Sequence, residues 1–143
     1  MDLWSTTCCN ERINVQWRGG SPNYGTVQLW LLTADVISPD DLDSTFTVVT
    51  DANYTPVTLS LNGSTVTAPS AGVSQLVASP NWGSAAAAAI TGISGIAFNF
   101  GATDSPATHN RWAWLKLPQT FNVAQGAPIV LPSNMSIIQF QEI

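Results

Sequence analysis

Arg111-Trp112-Ala113-Trp114-Leu115-Lys116-Leu117 is the stretch that decides the fold. Extended, it puts Arg111, Ala113, Leu115 and Leu117 on one face and Trp112, Trp114 and Lys116 on the other, because side chains of a strand alternate. Both faces are partly apolar. Such a strand either lies between two packed layers or has its tryptophan face covered by another subunit. Similar short runs recur on both sides of it: Ile13 to Trp17, Thr26 to Leu31, Thr45 to Thr50, Thr55 to Leu61, Ser64 to Ala68 and Ser74 to Ala78, then Ile93 to Phe100, Phe121 to Val123, Ala127 to Leu131 and Met135 to Gln141. About ten short strands separated by turn residues predict an all-β, single-domain β-sandwich, jelly-roll-like in organisation.

Two local signals refine this expectation. Asn62-Gly63, between Leu59-Ser60-Leu61 and Ser64-Thr65-Val66, predicts a type I′ hairpin, since both turn residues tolerate positive φ. The five alanines Ala85 to Ala89, with Ser84 able to cap and Gly92 able to stop, predict one short helix near residues 84–91. The first 24 residues stand apart, with Trp4, Trp17, Cys8, Cys9, Arg12 and Arg18 before the break Arg18-Gly19-Gly20-Ser21-Pro22. They are either a first strand plus loop or an arm whose apolar anchors order on a neighbouring chain. Residues 25–143 form the sandwich domain, and 143 residues suit one domain.

Composition excludes several functions. Charged residues are 9% of the chain and the net charge is −5. With 14 Ser, 15 Thr, 10 Asn and 7 Gln, hydration falls to hydroxyls and amides, which are dehydrated against a neighbour more easily than isolated charges. Four basic residues against nine acidic ones argue against nucleic acid and against anionic membranes as partners. The start, Met1-Asp2-Leu3-Trp4, carries no apolar run of signal-peptide length, so synthesis and residence in a cytosol are expected, with Cys8 and Cys9 as reduced thiols and the sequons at Asn53, Asn62 and Asn134 accidental.

Chemistry-bearing patterns are sparse. The single histidine, His109, reads as a loop residue with no nucleophile elbow to serve. Asp35, Asp40, Asp41 and Asp43 surround Ser38-Pro39 but do not match a calcium loop and read as turn chemistry. Glu11 and Glu142 lie near opposite ends, which disfavours a paired-carboxylate site. No enzyme, cofactor or metal is expected. Six tryptophans, a residue favoured at packed interface centres, point to binding. The expected interface residues are Leu3, Trp4, Arg12, Ile13, Trp17, Arg18, Trp112 and Trp114.

The order of segments resembles small virion proteins of tailed bacteriophages, known as decoration or cement proteins and tail-fibre-like proteins. The likeness lies in Val27-Gln28-Leu29-Trp30-Leu31-Leu32-Thr33-Ala34-Asp35, Tyr54-Thr55-Pro56-Val57-Thr58-Leu59, Ser79-Pro80-Asn81-Trp82-Gly83 followed by Ile93 to Phe98, and Trp114-Leu115-Lys116-Leu117-Pro118 with Phe121-Asn122-Val123-Ala124-Gln125-Gly126 and Val130-Leu131-Pro132. It covers residues 26–141, and departs from the family in the Trp/Cys start and the alanine run. It implies a non-enzymatic capsid component, a homotrimer binding the major capsid protein from outside. The alternatives are a tail, fibre-attachment or head-to-tail adaptor, and a carbohydrate-binding module stacking sugars on Trp82, Trp112 and Trp114.

Overall fold

The fold comes from a computed structural model that describes residues 3–4, 25–35, 46–60, 62, 64–66, 70, 73–100, 112–132 and 139–141. The described residues are all-β, with nine strands: β1 (Leu3–Trp4), β2 (Thr26–Leu32), β3 (Val57–Ser60), β4 (Val73–Gln75), β5 (Asn81–Gly83), β6 (Ile90–Phe100), β7 (Trp112–Val123), β8 (Ile129–Val130) and β9 (Gln139–Gln141). Five form one antiparallel sheet in the order β1-β7-β6-β2-β3, while β4–β9 and β5–β8 are separate two-stranded ladders.

Strand β6 is the centre of the sheet and is buried without a break from Ile93 to Asn99. A strand covered on both faces has no need of polar alternation. On one face, Val27, Leu29 and Leu31 of β2 join Ile93, Ile96 and Phe98 of β6 and Ala113 and Leu117 of β7. Trp82 of β5 and Ile129 of β8 belong to the same buried cluster. Each fully buried aliphatic side chain here contributes about 1.5–3 kcal/mol of transfer free energy.

The β5–β8 ladder is tied to the sheet through the edge of β2. Strand β3 pairs with β2 only as far as Val57 opposite Leu29. Beyond that point side chains take over: the Trp82 indole N–H donates to the Leu29 carbonyl at 2.9 Å, and the Leu31 N–H donates to the Tyr54 hydroxyl at 2.8 Å. Burial pushes the Tyr54 pKa up, which keeps this acceptor a neutral phenol. Residues 47–49 then close the edge, with Val49 N–H on the Leu31 carbonyl and Thr33 N–H on the Thr47 carbonyl. Thr45 to Thr50, expected as a strand, contributes one isolated bridge, Val48 to Leu32. Gly83 follows Trp82 because a Cβ there would meet the Asn53 carbonyl at 2.5 Å.

The expected helix at 84–91 is absent. Its alanines are held in a bent segment whose backbone groups bond to other parts of the chain. Ala86 N–H donates to the Ala127 carbonyl, its own carbonyl accepts from Gly126 N–H, and the carbonyls of Ala85 and Ala87 accept from the side-chain amides of Asn53 and Gln125. The Asp51 carboxylate accepts from Ala87, Ala88 and Asn53 N–H at 3.1, 2.9 and 2.9 Å. Eight residues barely sustain an isolated helix, so these tertiary partners prevail. Gly92 does take a left-handed φ of 73°, but inside β6, where the pairing with β7 shifts register and its N–H donates to the Asn122 amide oxygen.

Of the expected Asn62-Gly63 hairpin, Leu61 and Gly63 lie outside the described residues, and Asn62 and residues 64–66 show no ladder with β3. The Asn62 side chain accepts from Ser64 N–H, its carbonyl accepts from Thr65 and Val66 N–H, and the Thr65 hydroxyl donates to the Ser60 carbonyl. These local bonds offer the backbone an alternative to a two-residue turn. Val66 consequently bridges Leu76, and β3 pairs only with β2 among the described residues. The runs Arg111 to Leu117 and Phe121 to Val123 merge into one strand, β7, which accommodates the exposed Pro118 where the β6–β7 register shifts. Ile13 to Trp17 lies outside the described residues.

Two outcomes test this arrangement. Trp82→Phe keeps the ring but strands the Leu29 carbonyl, and should lower stability by about 2 kcal/mol, read as a shift in urea midpoint at constant slope. An unchanged midpoint would remove the indole bond from the account. The N–H groups of Ala87, Asn53 and Ala88 hold the Asp51 pKa below its ordinary 3.8. The ionised carboxylate therefore supports the fold fully above the ordinary carboxylate range and loses that effect as pH falls past 3.8 through the lowered value. Asp51→Asn should lower the thermal midpoint at neutral pH, with the gap to the parent closing near about pH 2. A gap that stays constant with pH would contradict the carboxylate's role.

Candidate functional site

The second face of the five-stranded sheet carries a separate aromatic cluster. Trp30, Ala97 and Trp114 are register partners across β2, β6 and β7. The small Ala97 between two indoles leaves room for both, and Leu32, Phe46 and Val48 pack against the same group. Phe46 meets Trp114 edge-on, with ring centroids 5.4 Å apart at 84°. This T-shaped geometry aligns a ring edge with a π face. Trp114 is 4% exposed, so its face of the strand is covered within its own chain.

Two register positions away, Gln28 lies opposite Asn99, and Asn99 lies opposite Trp112. Asn99 is 0% exposed, yet neither its amide nitrogen nor its amide oxygen has a hydrogen-bond partner among the described residues. The Gln28 amide oxygen, the Trp114 indole nitrogen and the Ser94 hydroxyl share that condition. Each such buried group costs about 1–3 kcal/mol. Concentrated on and around β6, they mark a part of the molecule whose polar capacity the chain does not use.

At the edge of this sheet, β1 adds to β7 with Leu3 opposite Trp114 and Trp4 opposite Ala113. Three of the expected interface residues, Leu3, Trp4 and Trp114, thus meet in one pairing, and Trp112 is two residues along the same strand. Arg12, Ile13, Trp17 and Arg18 lie outside the described residues, as do Cys8, Cys9, His109, Asp40, Asp41 and Asp43. Sequence reasoning missed Asn99. Its signal was a lone amide between Phe98 and Phe100 in an otherwise apolar run.

The described residues include only three ionised side chains, Asp35, Asp51 and Lys116. Asp35 and Lys116 form an ion pair, and Asp51 is occupied by three backbone N–H groups. Both partners of the ion pair are exposed, so its contribution to stability is small, but it leaves neither charge free. Among the described residues no group of three or more His, Cys, Asp and Glu side chains gathers as a metal site.

Sugar stacking requires indole faces open to solvent. Trp82 is 1% exposed and Trp114 4%, which removes two of the three tryptophans considered for that purpose.

The unpaired amide allows a direct check. Asn99→Leu, similar in volume and free of polar atoms, should raise stability by about 1–2 kcal/mol in chemical denaturation. A loss of similar size would mean the amide is satisfied in solution. No protein-family model matches the chain, and no curated protein matches its sequence; the likeness to virion proteins therefore rests on the residues quoted for it.

Proposed function

We propose that this chain is a non-enzymatic structural component of a tailed-phage virion, a cement protein that binds the capsid exterior and stabilises the shell. The observation that carries the reading is the sparsely charged composition, 9% of the chain, together with the engagement of every ionised side chain among the described residues: Asp35 and Lys116 pair with each other and Asp51 accepts backbone N–H groups. The other exposed residues among those described are Thr, Ser, Asn, Gln, Ala, Gly and Pro, with Val77 as the large apolar member. Pressing such a surface against a neighbour strips water from hydroxyls and methyls, at far lower cost than from lone ions. A stable contact of this kind buries more than about 1,000 Å² in total, and symmetric copies add their contributions.

In this reading the five-stranded sheet and the small β5–β8 ladder are the two layers of a jelly-roll-like sandwich, since Trp82 and Ile129 share a core with the inward face of the sheet. The block is rigid because its layers are tied by Trp82 and Tyr54 as well as by apolar packing. The chain acts as a homotrimer on the major capsid protein, made in the host cytoplasm and carried on the virion. A net charge of −5 suits a position outside the shell, away from packaged DNA.

Co-sedimentation with undecorated shells tests the proposal. The purified chain should bind to saturation, and its affinity should change less than threefold between about 0.05 M and 0.5 M salt, because screening weakens free charges and leaves dehydrated apolar contacts intact. Decorated shells should also resist heat or chelation better than bare ones. Absence of saturable binding, or binding that collapses at high salt, would overturn it.

A further inference from the structure

We propose that Asn62 is a site of spontaneous covalent modification, at which the backbone nitrogen of the next residue, Gly63, displaces the side-chain amide as ammonia and leaves aspartate or isoaspartate. The proposal is independent of the reading of the chain as a cement protein.

The chemistry needs an asparagine open to water, a following residue too small to obstruct its own backbone nitrogen, a polarised side-chain carbonyl and an amide nitrogen that nothing holds back. Asn62 is exposed, and the residue bonded after it is glycine, which has no side chain. Its Oδ1 accepts from Ser64 N–H at 2.8 Å, an Asx arrangement that bends the side chain back along the main chain. That N–H stands where negative charge develops on the oxygen when Cγ is attacked, and stabilises it. The backbone of Asn62 is held in place as well. Its N–H donates to the Thr65 hydroxyl at 3.2 Å, and its carbonyl accepts from Thr65 and Val66 N–H at 3.1 and 3.0 Å. Among the described residues no group accepts from Asn62 Nδ2.

The step balances without an oxidant or a cofactor. Hydroxide takes the proton from the Gly63 amide, its nitrogen bonds to Asn62 Cγ, and the bond from Cγ to Nδ2 breaks. Water returns a proton to Nδ2, which departs as ammonia and leaves a cyclic imide. Water then opens the imide at either carbonyl, to aspartate with the ordinary main chain or to isoaspartate, whose main chain runs through the former side chain. Both products add a negative charge to a chain of net charge −5. Aspartate keeps an acceptor for Ser64 N–H. Isoaspartate displaces the carbonyl to which Thr65 and Val66 donate, and so loosens the bridge from Val66 to the core residue Leu76.

Each of the other described asparagines lacks one of the requirements. Asn53 donates its Nδ2 to the Ala85 carbonyl, and the N–H after it, that of Tyr54, is bonded to the Asp51 carbonyl. Asn81 repeats the Asx bond, with Oδ1 on Gly83 N–H at 2.9 Å, but bulky Trp82 follows it. Asn99 is fully buried, away from hydroxide. Asn122 accepts from Gly92 N–H, but β-branched Val123 follows it in β7. The structure therefore singles out Asn62 among them.

The test holds the purified full chain in mildly alkaline buffer and samples it over time. Peptide mass spectrometry locates the conversion, and an isoaspartate-specific methyltransferase reports that product. A more acidic species should accumulate, faster at higher pH because the attacking nitrogen must lose its proton. Conversion at Asn62 should be at least about tenfold faster than at Asn53, Asn81, Asn99 or Asn122, a barrier difference of about 1.4 kcal/mol. Asn62→Gln, whose longer side chain closes a larger ring, should abolish the acidic species. Ser64→Pro keeps the Asn-Gly pair but has no N–H, and should slow conversion severalfold, with circular dichroism reporting whether it is folded. The parent unfolded in guanidinium gives the same comparison without a substitution, and should convert more slowly at Asn62 than the folded chain. An Asn62 that survives as long as the other asparagines would overturn the site. Conversion at least as fast in the unfolded parent as in the folded one would overturn the part assigned to the Ser64 N–H and leave only the Asn-Gly pair.

Discussion

The bond from the Trp82 indole to the Leu29 carbonyl is the constraint from which the rest of the architecture follows. Leu29 is the last residue of β2 that β3 covers, so its carbonyl falls where the ladder runs out. A buried carbonyl without a partner is costly, and an indole placed edge-on supplies both the donor and a large apolar body. Placing it there puts β5 beside the core, and its partner β8 brings Ile129 into the same cluster. It also requires the chain after Trp82 to pass close to Asn53, where glycine is the residue that fits. One side chain thus ties the β5–β8 ladder to the sheet, and Tyr54, two residues of β2 further along, adds a second tie with a phenol.

The sheet was legible in the sequence because its strands obey simple rules. Thr26 to Leu31 alternates and becomes β2 with one added residue, and the apolar run Ile93 to Phe100 becomes the doubly covered β6, begun three residues earlier at Ile90. What escaped the reading was decided by partners distant in sequence. Nothing local in Ala85 to Ala89 announces that Asp51, more than thirty positions away, will take two of its N–H groups. Asn62-Gly63 fits a hairpin by every local rule, and yields because the Asn62 and Thr65 side chains satisfy the backbone first. Strand β7 runs on through Pro118, where the β6–β7 register shifts and, among the described residues, no ladder on the outer edge needs its missing N–H. For the candidate site, Leu3, Trp4 and Trp114 were legible as apolar anchors, and their pairing within one chain appears only in the structure, whereas the unpaired amides of Gln28 and Asn99 could be found only once their burial was known.

The two classes of polar group in this molecule are treated in opposite ways. Among the described residues the ionised side chains, though exposed or near the surface, are all engaged: an ion pair for Asp35 and Lys116, three N–H groups for Asp51. Several neutral groups in the interior are left without partners. A protein selected only for stability as an isolated body would show the reverse, with free charges outside for solubility and every buried amide paired or replaced by carbon. On the proposed reading, in which the outside of this body is covered by a neighbour, both features are expected: charges that would resist dehydration are paired in advance, and neutral groups that cost less to desolvate are tolerated.

That logic also bears on the edge strands. A sheet whose outer surface is nonionic is exposed to adventitious pairing, since the repulsion that usually separates soluble chains is weak. The chain places its one lysine of the described residues, and a proline, on the edge of β7 that β1 leaves uncovered. At the opposite edge, the Ser60 carbonyl at the end of β3 is occupied by the Thr65 hydroxyl, which blunts that strand. Among the described residues both edges of the sheet are thus guarded, one by a lysine and a proline and the other by a side chain that occupies the last carbonyl.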